Sequence, residues 1–264
     1  MTILFYLTAF LFSLGQLGRI SFFSQQINFY LYEVVLTLSL FLLFFKYRLK
    51  PIKEAWKKFK PLFFFLFILL ISLLINWSKY NSFENTVAFL YFFRLLLYFF
   101  YFFYLKYRSQ TVKKGIFLIA ILTIISTLIQ YFLYPDLRNL FYQGWDPHLY
   151  RTFGVFFDTS IAAAIFGILF LTINQPVIKI IYLILIALSF SRAIYLGLSL
   201  TLIYIFIQKK QFKKIFLFLL FFIVLIFIIP KPAGEGVNLK RLYSITSRGQ
   251  DYLQGINLWK NKPV

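Results

Sequence analysis

The chain alternates long apolar stretches with short polar ones. Runs such as Pro61 to Trp77 and Ile215 to Ile229 contain no charged residue. A stretch of about 18 apolar residues is typical of a membrane-spanning helix, because in lipid the backbone must satisfy its own hydrogen bonds. A transmembrane β-barrel would show apolar and polar residues in alternation, and the run 62–67 does not alternate. The pattern predicts an all-α, polytopic transmembrane helical bundle.

The apolar stretches predict nine spans joined by short loops. They cover residues 2–20, 28–45, 62–77, 85–105, 115–134, 158–174, 176–190, 193–207 and 215–229. Residues 176–207 have two interpretations, one long tilted helix or two short helices that turn at Ser191 and Arg192. A single helix would bury Arg192 in the membrane at a cost of about 2.5–3.5 kcal/mol. Two short helices are therefore predicted.

The charge pattern predicts the orientation of these spans. The chain is 61% hydrophobic, 14% charged and carries a net charge of +20, and its basic residues cluster between spans. The loop 46–60 holds seven basic residues and one acid. The positive-inside rule places this loop, 106–114 and 208–214 in the cytoplasm of a bacterial inner-membrane protein. The rule also explains the net charge without nucleic acid, which is not expected as a partner.

The chain then has two parts, and three of its outward segments stand out. Residues 1–229 form the helical bundle, and residues 230–264 form a periplasmic loop segment. The N-terminus is cytoplasmic. Arginines mark each outward segment: Arg151 in the loop 135–158, Arg192 in the turn 189–193, and Arg241 with Arg248 in the tail.

The order of short motifs in these outward segments carries a family resemblance. Arg-x-x-Gly-x-Phe stands at 151–156, Phe-Ser-Arg-Ala at 190–193, and Glu-Gly, Arg, Ser-Ile and Arg follow in the tail. This order resembles the bacterial O-antigen ligase and O-antigen polymerase family, most clearly from about residue 135 onward. The resemblance implies a GT-C-like membrane glycosyltransferase. Such an enzyme moves a glycan from a polyprenyl diphosphate carrier to a lipid or saccharide acceptor hydroxyl at the periplasmic face.

The sequence departs from the family pattern in two places. Asp158-Thr159-Ser160 stands where the family commonly has Asp-Pro-Asn or Asn-Pro-Asn, which leaves the acceptor site undefined. In the family, the point matching Val264 is followed by a Gly-x-Gly segment, an outer loop with a functional histidine, and further spans. The resemblance therefore implies a truncated member, and the 264 residues alone are expected to bind the donor weakly and not to complete the transfer, because the outer loop that would close the site is missing.

The resemblance assigns roles to the arginines. A diphosphate leaving group needs fixed positive charge where negative charge develops, and arginine offers a planar fork that stays charged. Arg151 and Arg192 match the family's diphosphate-binding arginines and are the expected catalytic residues. Arg241 and Arg248 match arginines of its next outer loop and are expected to bind substrate. The plainer interpretation of Arg151 is an interfacial anchor.

Two further residues are candidates for substrate binding. Asp158 precedes span six, where aspartate is also a preferred helix cap. Arg94 lies inside span four, and a charge at membrane depth is a functional candidate by default. Its alternatives are an ion pair with Glu33 or a side chain that reaches the interface.

Neither a cofactor nor a metal is expected. The chain has one histidine, His148, and no cysteine, and no phosphate-binding or dinucleotide motif is present. The expected partners are the polyprenyl diphosphate-linked glycan, its acceptor and membrane lipid. A transporter or flippase of polysaccharide precursors is the alternative from another class, and it would favour inverted repeats and broken helices. A non-catalytic membrane scaffold is a third.

The predicted topology can be tested by single cysteines in this cysteine-free chain. Cysteines at Ser82, Gly144 and Asn238 should react with an impermeant thiol reagent from the periplasmic side, and one at Ala55 should not. Labelling of position 55 in intact spheroplasts would contradict the orientation.

Overall fold

The computed structural model describes residues 2–23, 25–106, 109–228 and 243–261. They fall into two compact units that divide between Ile119 and Ala120. The division predicted at 229/230 lies outside the described residues.

The described residues form eleven α-helices and one β-hairpin. In the first unit these are α1 (Thr2–Phe12), β1 (Arg19–Phe22), β2 (Ile27–Tyr30), α2 (Leu31–Tyr47), α3 (Lys50–Lys58), α4 (Lys60–Ile75) and α5 (Ser82–Leu105). Helix α6 (Ser109–Leu133) runs from the first unit into the second. The second unit continues with α7 (Thr159–Thr172), α8 (Pro176–Ser189), α9 (Arg192–Gln208), α10 (Phe212–Ile228) and α11 (Tyr243–Asn261).

Each predicted span overlaps one helix, but the helices differ from the spans in their bounds and from one another in length. Two of them, α5 and α6, are long and apolar enough to cross a membrane, and α3 with α4 forms a pair bent by 100° that could count as a third span. Helices α7 and α8 have 14 residues each, a rise of about 21 Å against a hydrocarbon core of about 30 Å. The chain is therefore mostly helical with two candidate spans, and the full count of nine stays a prediction.

The first predicted span, 2–20, is wrong in its second half. Helix α1 ends at Phe12, and Gly15 takes a φ of +51°, a left-handed conformation that favours glycine. Strand β1 then pairs antiparallel with β2, with Arg19 opposite Tyr30. The sheet also departs from the predicted all-α class. The second span starts at Leu31 rather than at 28, because β2 occupies the preceding residues.

Helices α2 and α5 lie side by side and run in the same direction. Glu33, near the start of α2, pairs with Arg94 in the middle of α5. At their C-terminal ends, the Tyr104 hydroxyl donates a hydrogen bond of 2.5 Å to the backbone oxygen of Arg48. Helix α1 runs the opposite way, since Phe12 contacts Tyr32. These directions are those that alternating spans one, two and four require.

The two lysine-rich loops of the first unit meet at one end of its helices. Lys106 Nζ, after α5, lies 3.1 Å from Glu54 Oε2 in α3. The cytoplasmic side predicted for both loops is thus the same end of the unit. Ala55 in this region is only 4% exposed, so a cysteine there would be shielded from the reagent on either side. The exposed neighbour Lys57 is the informative position for the labelling test.

A polar cluster joins the N-terminal end of α2 to the middle of α5. Arg94 Nε lies 2.7 Å from Glu33 Oε1, and the two side chains are 20% and 10% exposed. Arg94 also donates to the backbone oxygen of Asn28, and its guanidinium lies 5.0 Å from the ring centre of Tyr91. Tyr98 donates its hydroxyl proton to Glu33. The Arg94 charge is therefore neutralised inside the unit, which favours the ion-pair interpretation over substrate contact.

We expect loss of this buried pair to destabilise the chain far more than loss of an exposed pair. Arg94→Met leaves Glu33 buried without its counter-ion, at a cost of about 3–5 kcal/mol. Lys106→Met, the matched control at the exposed Glu54 pair, should cost about 0–1 kcal/mol. Thermal unfolding of the detergent-purified chain measures both.

The double variant Arg94→Met/Glu33→Gln should recover part of the loss, because no uncompensated charge remains buried. Equal melting temperatures for Arg94→Met and Lys106→Met would contradict a structural role for the Arg94–Glu33 pair.

Candidate functional site

The segment 151–154 is hydrogen-bonded to the ends of α6 and α8, and the starts of α7 and α9 contact each other beside the end of α8. Gln130 lies near the end of α6, Ser160 near the start of α7, Ser189 at the end of α8, and Ser191 just before α9. The hydroxyls of Ser191 and Ser160 lie 3.5 Å apart. The predicted outward loop and the predicted outward turn are therefore neighbours in space.

Gln130 holds the segment on its α6 side. The Oε1 atom of Gln130 accepts hydrogen bonds from the backbone N–H groups of Phe153 and Gly154, at 3.0 and 2.9 Å. Its Nε2 donates to the backbone oxygen of Arg151 at 3.2 Å. One buried amide thus satisfies three backbone groups, each of which would be costly to leave unpaired away from water.

Sequence reasoning missed Gln130. The signal available was an uncharged polar residue inside an apolar span. Thr123 and Thr127 precede it on the same helix and are fully buried. Such residues form hydrogen bonds between neighbouring helices in membrane proteins, as the 2.8 Å contact between the Thr123 and Tyr182 hydroxyls shows.

The glycine of the Arg-x-x-Gly-x-Phe motif has a geometric reason. Gly154 has a φ of +54°, and a Cβ atom placed on it would lie 2.7 Å from Thr127 Oγ1. Both the backbone conformation and the contact with α6 exclude a larger residue without local rearrangement.

Arg151 and Thr152 bind the C-terminal end of α8. Arg151 Nε donates to the backbone oxygen of Ser189 at 2.7 Å, and the N–H of Thr152 donates to Leu188 at 3.2 Å. The Thr152 hydroxyl donates to the backbone oxygen of Leu185 at 2.7 Å. The last carbonyls of a helix have no partner within it, so the segment caps α8. Arg151 is 5% exposed.

The turn between α8 and α9 confirms the predicted break. Phe190 ends α8 with a φ of +51° and is only 1% exposed, so its buried ring holds the left-handed backbone in place. Ser191 follows, and Arg192 is the first residue of α9. Arg192 is half-buried. Its position at a helix N-terminus places it beside partial positive charge, which favours anions.

Asp158 takes the predicted capping position. Its Oδ1 accepts hydrogen bonds of 2.7 Å from the N–H groups of Ser160 and Ile161, which caps α7. The carboxylate is thus engaged by the helix, and substrate contact by Asp158 stays a prediction.

Backbone hydrogen bonds within the loop 135–150 join its two ends. Leu137 and Tyr150 donate their N–H groups to Pro147 and Pro135 at 2.8 and 2.9 Å. Arg138 Nη2 lies 2.9 Å from Asp136 Oδ2, and this hydrogen bond holds the pKa of the Asp136 carboxyl below its usual value.

His148 lies in the same loop and contributes its backbone. Its oxygen accepts a hydrogen bond of 3.2 Å from the N–H of Arg151, and its ring centre lies 6.1 Å from that of Phe153. These contacts make His148 part of the packing that supports the segment 151–154.

Of the six predicted site residues, the structure brings Arg151 and Arg192 to the same turn and places Arg94 in the first unit. Arg151 bonds to Ser189, three residues before Arg192. Arg94 lies in the first unit, paired with Glu33. Arg241 and the Arg248 side chain lie outside the described residues. Asp158 lies at the start of α7, two residues before Ser160, which contacts the Arg192 turn.

The arrangement suits an anion better than a cation. Within the described ranges, no group of three or more His, Cys, Asp or Glu residues is placed to hold a metal ion. Arg192, the start of α9 and the nearby Arg151 instead concentrate positive charge around one turn.

Comparison with known proteins adds no relative from which to transfer a role. No protein family, no curated protein and no solved structure matches the chain.

Proposed function

We propose that the chain belongs to a membrane glycosyltransferase that moves a glycan from a polyprenyl diphosphate carrier to an acceptor hydroxyl. The observation that carries the proposal is the 2.7 Å hydrogen bond from Arg151 Nε to the Ser189 backbone oxygen. This hydrogen bond joins the Arg-x-x-Gly-x-Phe segment to the Phe-Ser-Arg-Ala turn. These are two of the motifs that carry the family resemblance.

The exposed surface supports placement in a membrane. In the most apolar 18-residue stretch of α5 only 17% is buried, and in the corresponding stretch of α6 only 28% is buried. Large side chains such as Phe132 and Leu133 are 74% and 78% exposed. Apolar surfaces of this extent mark a membrane or protein interface. We propose a multi-pass inner-membrane protein with its lysine loops in the cytoplasm and the Arg192 turn at the periplasmic face.

The two arginines take different parts in this proposal. Arg192 is half-buried at the start of α9 and is the direct ligand of the diphosphate. Arg151 is 5% exposed and uses its Nε to hold the end of α8. Arg151 thus fixes the turn that presents Arg192, and it adds a second positive charge nearby.

The reaction requires positive charge at the diphosphate, which is the leaving group. The acceptor hydroxyl oxygen attacks the anomeric carbon of the glycan, and the bond from that carbon to the diphosphate oxygen breaks. The hydroxyl proton passes to a base, and the electron pair of the broken bond leaves with the diphosphate. Fixed guanidinium groups stabilise that charge as it develops. The arginine fork grips two phosphate oxygens at once, which a lysine does not.

A ligase and a polymerase of this kind share the donor and differ in the acceptor. A flippase would bind the same carrier but break no bond. The assay therefore uses a lipid acceptor and a saccharide acceptor in parallel, and it follows whether the glycan leaves the carrier.

We expect Arg192→Ala to weaken binding of the polyprenyl diphosphate-linked donor by roughly tenfold to hundredfold, the loss for charged hydrogen bonds. Arg192→Lys should also weaken it, because the paired fork is lost. The matched control is Arg138→Ala, which removes an exposed arginine of the loop preceding the segment. Donor binding to the purified chain and glycan transfer in membranes are the two measurements.

A second comparison separates charge from folding. Gln130→Ala removes the neutral support of the segment 151–154, and Arg151→Ala removes a support that is also charged. Both should lower the melting temperature of the chain. At a temperature where all variants stay folded, Arg151→Ala should bind donor more weakly than Gln130→Ala.

Three results would contradict the proposal. These are unchanged donor binding in Arg151→Ala/Arg192→Ala, an equal loss in Arg138→Ala, and donor binding by the full-length protein without release of glycan to either acceptor. Transfer should persist in EDTA and in His148→Ala, because the arginines supply the charge in this mechanism.

A further inference from the structure

A groove of about 920 Å³ runs along the first unit between α1, α5 and the first part of α6. Its sides are apolar, with Ala9 and Phe12 from α1, Tyr101 from α5, and Ile116 and Ile119 from α6. Its size falls within the range of small-molecule sites in proteins.

The basic residues that line the groove lie at one of its ends. Lys58 at the end of α3, Lys106 just after α5 and Lys113 near the start of α6 all line it. They lie at the end where the Lys106–Glu54 ion pair joins the two lysine-rich loops. Phe12 and Tyr32, which contact each other, line the other end. Among the described residues that line the groove, none is acidic.

This distribution is that of an amphiphile site. An apolar groove receives acyl chains, and basic side chains at one mouth receive a negative headgroup. Lysine forms point-charge contacts with phosphate without the fixed geometry of arginine, which suits a mobile headgroup.

We propose that the groove binds one anionic phospholipid of the cytoplasmic leaflet. Its phosphate lies among Lys58, Lys106 and Lys113, and its acyl chains lie along α1 and α6. Charge complementarity selects this occupant over a zwitterionic lipid. The proposal does not depend on the glycosyltransferase activity, because none of its residues belongs to the Arg151 and Arg192 site.

The three lysines do not contribute equally. Lys106 already pairs with Glu54 at 3.1 Å, so part of its charge is compensated. Lys58 and Lys113 therefore carry most of the headgroup attraction, and Lys106→Gln is expected to have the smallest effect.

The test measures lipid retained by the detergent-purified chain in native mass spectrometry. Phosphatidylglycerol and phosphatidylcholine with identical acyl chains are compared. The chain should retain one phosphatidylglycerol and release phosphatidylcholine. Lys58→Gln/Lys113→Gln should weaken phosphatidylglycerol binding about tenfold or more. Lys209→Gln/Lys213→Gln, which removes the same charge outside the groove, should leave binding unchanged.

A second variant tests the apolar part. Val112 lines the groove on α6, and Val112→Trp should fill it and lower retention without changing the lysines. Circular dichroism and melting temperature identify variants that remain folded, and only these enter the comparison.

Four outcomes would overturn the proposal. Phosphatidylcholine could bind as tightly as phosphatidylglycerol, or the Lys209/Lys213 control could lose as much as the groove variant. A polyprenyl phosphate could bind more tightly with the same lysine dependence, which would make the carrier lipid the occupant. A dimer abolished by Val112→Trp would make a second copy of the chain the occupant.

Discussion

The irregular segment 151–154 depends on the side chain of Gln130. In an apolar surrounding, a backbone that leaves a helix still needs partners for its N–H and C=O groups. The Gln130 amide supplies three of them, at Arg151, Phe153 and Gly154. The segment can then satisfy the end of α8 through Arg151 and Thr152. Without that support, the turn that presents Arg192 would lose the hydrogen bond from Arg151 to Ser189.

The first unit solves a related problem with charge rather than with an amide. Glu33 accepts the N–H of Tyr30 at 3.0 Å and pairs with Arg94 at 2.7 Å. The carboxylate therefore joins the hairpin, the start of α2 and the middle of α5. A buried charge is tolerated only when it is paired and hydrogen-bonded. For this reason the Arg94–Glu33 pair is better explained as a structural ion pair that stabilises the first unit than as a substrate site.

Arginine and lysine occupy distinct settings in the chain. Arg151 is held by its hydrogen bond to the end of α8, and Arg192 is the first residue of α9, which suits a ligand of fixed geometry such as a diphosphate. Lys58 and Lys113 are exposed at the mouth of an apolar groove, which suits a mobile lipid headgroup. The difference follows from the side chains, since a planar fork is selective in direction and an ammonium group is not.

The sequence by itself located the apolar helices, because apolar runs in this chain are long, uncharged and separated by basic loops. It did not predict α3 and α11, which lie in the polar stretches 46–60 and 230–264. It also identified the Ser191–Arg192 break and the Asp158 cap, both of which depend on local chemistry. It missed the β-hairpin of 19–30. Gly15 and Gly18, which precede the hairpin, are uncharged, so the apolar pattern of the first predicted span continues through them to residue 20.

Only the tertiary structure decided which residues meet. Arg94 pairs with a residue 61 positions away, and Gln130 bonds to Phe153, 23 positions away. Arg151 bonds to Ser189, 38 positions away. Separations of this kind leave no periodic signal in a sequence, because a hydrogen bond between two helices depends on their rotation and register. The site therefore emerged from packing, while its individual arginines were already visible in the sequence.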